Sequence, residues 1–159
     1  MDQFMKLAFD AARTGEKAGG IPIGSVLTID GEIVATGQNQ RVQKKDPILH
    51  AEIDCLRNAG RIGSYRGATL YSTLMPCYLC AGAVVQFGIR RVVVGDDTNF
   101  EGAADFMREH DVEVVVETSP ECVALMGTFI RNHQSLWYED IGRGESGYAN
   151  ARASAPVRR

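Results

Sequence analysis

His50-Ala51-Glu52 and, further along, Pro76-Cys77-Tyr78-Leu79-Cys80 are the stretches on which the reading of this chain turns. An imidazole and two thiols are donors that suit zinc, and three protein ligands leave a fourth position for water, whereas a structural zinc is normally closed by four. Positions three apart lie on one helix face, so Cys77 and Cys80 can hold one ion from the first turn of a helix. His50 and Glu52 are two apart and share no such face. Both can serve one centre only if it lies beyond the N-terminal end of their helix, which favours Glu52 as a proton carrier rather than a ligand. A metalloprotease helix would instead carry two histidines four apart, and this chain has no such pair. His110 and His133 have no ligand spacing and are expected at the surface or partly packed.

The chain around these stretches alternates helix and strand. Phe4, Met5, Leu7, Ala8, Ala11 and Ala12 recur at helical spacing between Asp2 and about Lys17. Gly19-Gly20 ends that helix, and Ser25 to Ile29 reads as a strand. Asp30-Gly31 tolerates the positive φ angles of a tight two-residue turn, so Glu32 to Gln38 is expected to return antiparallel, with Asn39 at its end. Gln40 to Leu49, polar and basic, reads as a loop leading into the helix that His50 opens.

Ala68 to Thr73 is the next strand, and Pro76 starts a helix running to about Phe87. Arg91 to Gly95 and Val112 to Val116 are further strands, with Gly102 to Glu109 helical between them. Their valine runs suggest burial on both faces, as in parallel strands covered by helices. Ser119-Pro120 caps and starts a helix with Val123, Leu125, Met126, Phe129 and Ile130 on its apolar face, and Ser135 to Ile141 is the last element. The sum is an α/β fold, a three-layer α-β-α sandwich with a central mixed sheet of about five strands. It is expected to form one domain over residues 1–142, with residues 143–159 as a flexible tail.

A length of 159 residues with 45% hydrophobic content is enough to bury a core without disulfides as staples. No apolar run approaches the ~20 residues of a membrane span. Four cysteines are too few for a disulfide scaffold, so Cys55 and Cys122 are expected as buried thiols. The opening Met1-Asp2-Gln3-Phe4 lacks a basic stretch followed by an apolar one, and a cytoplasmic location is expected. The net charge is -3, but residues 143–159 hold four Arg and one Glu, which leaves 13 basic against 19 acidic residues in the body. That acidic body lowers the expectation of a nucleic-acid partner, whose phosphates call for a basic patch.

His-x-Glu followed by Pro-Cys-x-x-Cys is the signature of the zinc nucleobase deaminases. With it the chain resembles the cytidine deaminase superfamily, and within it the short zinc-dependent cytosine deaminases of the fungal type, over about residues 3–142. Beyond the zinc motif the resemblance rests on Gly19-Gly20-Ile21-Pro22-Ile23-Gly24, Gly37-Gln38-Asn39, Val93-Val94-Gly95, Thr98-Asn99-Phe100 and Trp137-Tyr138-Glu139-Asp140-Ile141-Gly142. It implies a zinc ion held by His50, Cys77 and Cys80, a small nucleobase as substrate and a homodimer. Glu52 would be the catalytic proton carrier. Asn39 would bond the carbonyl edge of the base, helped by the backbone N–H of Ala51, and Asp140 would accept from the exocyclic amine. Phe100 and Trp137 would pack on the ring, with Ile23 as a further wall and Met75 offering a backbone group.

Ala51 stands where the fungal-type pattern has Gly, Met75 where it has Ser, and Val42 where it has an aromatic, which would leave room near the pocket mouth. The reaction expected first is cytosine to uracil with release of ammonia. Isocytosine, guanine or another small amino-substituted ring stands beside it. A nucleic-acid editing deaminase would need basic contacts at the mouth, for which Arg41, Lys44, Lys45 and the Arg-rich tail are the candidates. A zinc-stabilised interaction module without catalysis would have no use for Glu52.

Overall fold

The computed structural model describes residues 1–143. The elements are α1 (Gln3–Lys17), β1 (Gly24–Ile29), β2 (Glu32–Gln38), α2 (Arg41–Lys44), α3 (Ala51–Ala59), β3 (Ala68–Ser72), α4 (Tyr78–Phe87), β4 (Arg91–Val94), α5 (Ala104–Glu109), β5 (Glu113–Val116), α6 (Pro120–Asn132) and α7 (Gln134–Asp140). The sheet runs β2-β1-β3-β4-β5. β1 is antiparallel to both β2 and β3, and β3, β4 and β5 are parallel, so the sheet is mixed as expected. Asp30 and Gly31 both take positive φ, 49° and 81°, which closes the β1–β2 hairpin in two residues.

Strand alternation divides the core in two. Leu27, Leu70, Val92 and Val94 face one way, onto Cys55 and Leu56 of α3, Ala81 and Val84 of α4, and Met107 of α5. Val26, Tyr71 and Val93, their neighbours in sequence, face the other way onto Met5 and Ala8 of α1 and Cys122 of α6. Period-two exposure of apolar residues on both faces of a sheet needs a helical layer on each, and that makes the three layers. A third cluster, Ile21, Ile23, Ala51, Leu74, Met126, Phe129 and Trp137, lies at the end of the sheet where the chain leaves β3.

Three sequence expectations change. The stretch 41–44 is a one-turn helix rather than loop, with none of its residues buried. α4 starts at Tyr78, not Pro76, so Cys77 is its N-cap and Cys80 sits in its first turn. β5 is only half-buried, with Glu113 exposed and Val114, Val115 and Val116 partly covered, because it is the edge strand of the sheet and has one neighbour. At Arg143, the first residue of the expected tail, the N–H donates to Tyr138 O at 2.9 Å and the guanidinium lies 5.7 Å from the centre of the Phe100 ring. The rest of the expected tail falls outside the described residues. No described helix is long and apolar enough to cross a membrane.

Candidate active site

The N-termini of α3 and α4 converge beyond the end of β3. His50 caps α3 and Cys77 caps α4, both in extended backbone, so each helix starts at the site. α3 is set by close contact with the hairpin: a Cβ on Gly37 of β2 would run into the backbone of Cys55 and Ala51. Only glycine allows that approach, and it puts His50 and Glu52 at a fixed height above the sheet. Asp54, buried on α3, accepts from the N–H of Gln38 at 3.0 Å and so ties the same helix to the residue before Asn39.

His50, Cys77 and Cys80 each offer a ligand atom, all within 4.8 Å of one another. His50 Nδ1 lies 3.3 Å from Cys77 Sγ and 3.7 Å from Cys80 Sγ, which makes Nδ1 the donor atom of the set. One imidazole nitrogen and two thiols, largely buried and converging, fit a zinc ion with a fourth position left over. Glu52 is not in the set, for the reason its spacing gave: at the second position of α3 it points past the cap to the floor of the site. Its Oε2 accepts from the Cys80 thiol at 3.2 Å and its Oε1 from the Ser72 hydroxyl at 3.0 Å.

Charge follows from this packing. Burial raises the Glu52 carboxyl above its usual range, and the neighbouring Cys77 adds to that. Hydrogen bonding with the Cys80 thiol draws Cys77 down to about 4, against the opposing cost of burial and with the help of His50. Burial by itself would lower His50, but its contacts with Asp140 and Cys77 outweigh that and lift it to about 10. Burial raises Cys80 well above the ordinary thiol. A zinc ion takes the place of protons on such a set, so metal affinity falls as the pH falls. The expected bulk thiols are inert by contrast: burial pushes Cys55 to about 12 and Cys122 to about 11.

A small cavity of about 20 Å³, room for roughly one water, lies beside the cluster. Ile23, Met75, Phe100, Trp137 and Asp140 all line it with His50 and Glu52, as do Leu74 and Ile141, which sequence reasoning did not single out. Trp137 meets Phe100 edge to face, ring centres 5.4 Å apart. The short helix α7 thus covers one side of the cavity, and an outer cleft of about 560 Å³ adjoins it along His50, Met75, Cys77, Phe100, Asp140 and Ile141. Asp140 Oδ1 lies 3.4 Å from His50 Nε2 but is buried without an aligned hydrogen-bond donor.

Two expected contacts sit further back. Asn39 is fully buried and does not line the cavity; its Nδ2 donates to Asp140 Oδ2 at 3.3 Å and its Oδ1 accepts from the N–H of Arg41 at 3.0 Å. Ala51 is also buried, the first residue of α3. Val42 is exposed on α2 and lines neither the cavity nor the outer cleft. Ser72 was missed because one serine at a strand end carries no sequence signal. Asp96 was missed likewise: its Oδ1 accepts from the N–H groups of Thr98 and Asn99 at 2.8 and 3.1 Å and shapes the turn that delivers Phe100. His110 and His133 are exposed, packed on Phe106 and Phe129.

A three-layer mixed-sheet fold with a His-Cys-Cys zinc site and a buried carboxyl beside it defines a zinc-dependent deaminase. Residues 1–96 match the model of the cytidine and deoxycytidylate deaminase zinc-binding region, and the chain belongs to that family. It is 42% identical over 141 residues to a cytosine deaminase of Candida albicans, covering 87% of this chain and 94% of that protein. It is 38% identical over 140 residues to a tRNA-specific adenosine deaminase of Bacillus subtilis, covering 80% and 87%. A solved structure from studies of A-to-I editing by tRNA:A34 deaminases matches with a TM-score of 0.68 at 32% identity, over 77% of this chain and 97% of that one.

Proposed function

We propose that this chain deaminates a free nucleobase, cytosine to uracil and ammonia. The observation that carries this reading is the buried Asp140 carboxylate, whose Oδ1 lacks an aligned donor inside a small cavity roofed by Trp137 and Phe100. A buried acceptor without a donor is costly unless a ligand N–H completes it, and the exocyclic amine of cytosine is such a group. Ile23, Leu74, Phe100 and Trp137 give the flat ring an apolar slot. When Asp140 turns to the amine, the Asn39 Nδ2 that it now engages becomes available to the carbonyl edge of the base. Its orientation as a donor is set by Arg41, whose N–H occupies the Asn39 oxygen.

When bound, zinc supplies the Lewis acidity that makes water nucleophilic near neutral pH. Glu52 Oε2 takes the proton that water loses on adding to the amidine carbon, and gives it to the ring nitrogen. Glu52 then takes the proton of the newly added hydroxyl and passes it to the amine as the carbon–nitrogen bond breaks, so ammonia leaves and the carbonyl forms. Ser72, donating to Oε1, keeps the other carboxyl oxygen out of this traffic.

The relation to tRNA-specific adenosine deaminases keeps an editing activity as the competing reading. Against it, Asp97, Glu101 and Asp105 outnumber Arg108 and Arg143 along the outer cleft, a balance that disfavours phosphates, and the side chain of Arg41 is committed to α7. A homodimer is inferred from the apolar groove between α3 and α4, lined by Ile53, Leu56, Ile62 and Ala83 and flanked by exposed Leu79 and Phe87, which a second copy would cover.

Ammonia release from cytosine, isocytosine, guanine, cytidine and a tRNA anticodon stem-loop, with Glu52→Gln as control, tests the reading. Cytosine is expected to be turned over fastest, and Glu52→Gln to lower kcat by ~10²- to 10⁴-fold with zinc retained. Turnover of the stem-loop but no free base would reverse the assignment.

A further inference from the structure

Arg41 lies on the single turn of α2, two residues past Asn39, and its side chain is only 16% exposed. Its Nε donates to Glu139 Oε2 at 3.0 Å; its Nη1 donates to the carbonyl of Pro47 at 2.9 Å and lies 3.7 Å from Asp140 Oδ1. One guanidinium therefore joins the loop that leads to His50 with the end of α7. α7 has seven residues, too few to be a stable helix without tertiary contacts. Its apolar anchor is Trp137, and Arg41 supplies its polar one.

Resting on the reading of α7 as the cover of a free-base cavity, we propose that Arg41 is a positioning residue for the substrate. By gripping Glu139 and approaching Asp140 it fixes how deep α7 closes and where Asp140 Oδ1, the acceptor for a substrate N–H, points. The planar fork of the guanidinium serves separate acceptors at once, which an ammonium on a flexible stem does not. Glu139 is 60% exposed, so its ion pair alone is weak. The contacts to Pro47 and Asp140 face inward and set the direction of the grip.

The test uses zinc-loaded, full-length wild type, Arg41→Ala, Arg41→Lys and Glu139→Gln, with two readouts: steady-state kinetics on cytosine, and acrylamide quenching of Trp137, the sole tryptophan. Arg41→Ala is expected to raise KM about five- to twentyfold and change kcat by less than about threefold, the loss of one or two charge-assisted bonds. Its Trp137 quenching should rise while zinc content stays at the wild-type level. Arg41→Lys should fall between the two, and Glu139→Gln should raise KM about twofold, as an exposed pair does. Wild-type KM and quenching in Arg41→Ala would overturn the proposal, as would a loss of kcat alone or of zinc. If Arg41→Ala does not fold, Arg41→Lys and Glu139→Gln carry the test on the same readouts. If wild type leaves cytosine untouched, the free-base reading fails by itself, and the proposal is then decided by quenching, unchanged values overturning it.

Discussion

The zinc-binding corner and α7 are built in opposite ways. His50, Glu52, Cys77 and Cys80 stand at the starts of two helices of nine and ten residues, laid on the sheet by the bare backbone of Gly37 and by Leu56, Ala81 and Val84 in the core. Trp137 and Asp140 ride on a seven-residue helix near the end of the described chain, held by the packing of Trp137 against Ile21, Ile23, Met126, Phe129 and Phe100 and by the polar contacts of Asn39 and Arg41. A site needs its reacting groups rigid and its substrate admitted. Here those demands fall on different parts of the molecule. The corner cannot move without disturbing the core. α7 packs outside the two faces of the sheet and covers a cavity with room for roughly one water.

The sharpest way to break this contrast is to remove a ligand from the rigid side. Cys80→Ala should abolish zinc retention and lower activity about a thousandfold or more, as removal of several kcal/mol of metal assistance implies. Metal analysis beside an ammonia assay checks it, and activity surviving metal loss would dissolve the distinction. On the side of α7, Trp137→Ala should leave zinc in place and raise KM for cytosine by about ten- to a hundredfold, the burial energy of one large aromatic side chain. A fall in kcat with KM unchanged would mean that α7 belongs to the catalytic corner after all. Ser72→Ala probes the floor with the smallest effect: one neutral hydrogen bond to Glu52 is worth about 1 kcal/mol, so kcat should drop about fivefold. The pH–rate profile should shift with it, because Glu52 then loses a donor that favours its ionised form.

Legibility in the sequence follows the same division. Helix periodicity and the Asp30-Gly31 turn foretold the order of elements, and the spacing of His50, Glu52, Cys77 and Cys80 foretold both the ligand set and the exclusion of Glu52 from it. These are local matters, since a turn of helix decides which side chains share a face. The resemblance of the closing segment put Trp137 and Asp140 near the site, and both line the cavity. The errors arose where distant parts meet. Arg41 read as a free cation on a basic loop, but 98 residues separate it from the Glu139 that it holds. The β5 valines read as fully buried, and only strand order reveals that the sheet ends there.

By itself, then, the amino-acid sequence determined a three-layer α/β fold and a zinc site with Glu52 beside it but outside the ligand set, because each depends on residues close along the chain and on the geometry of a single turn. Tertiary structure alone decided that Ser72 supports Glu52, that Asn39 stands behind Asp140, and that Arg41 ties α7 to the loop before the metal ligand. Those contacts join residues that no periodicity relates, and they exist only because packing the two helical layers on the sheet brings the end of β3, the turn after β2 and the last helix to one corner.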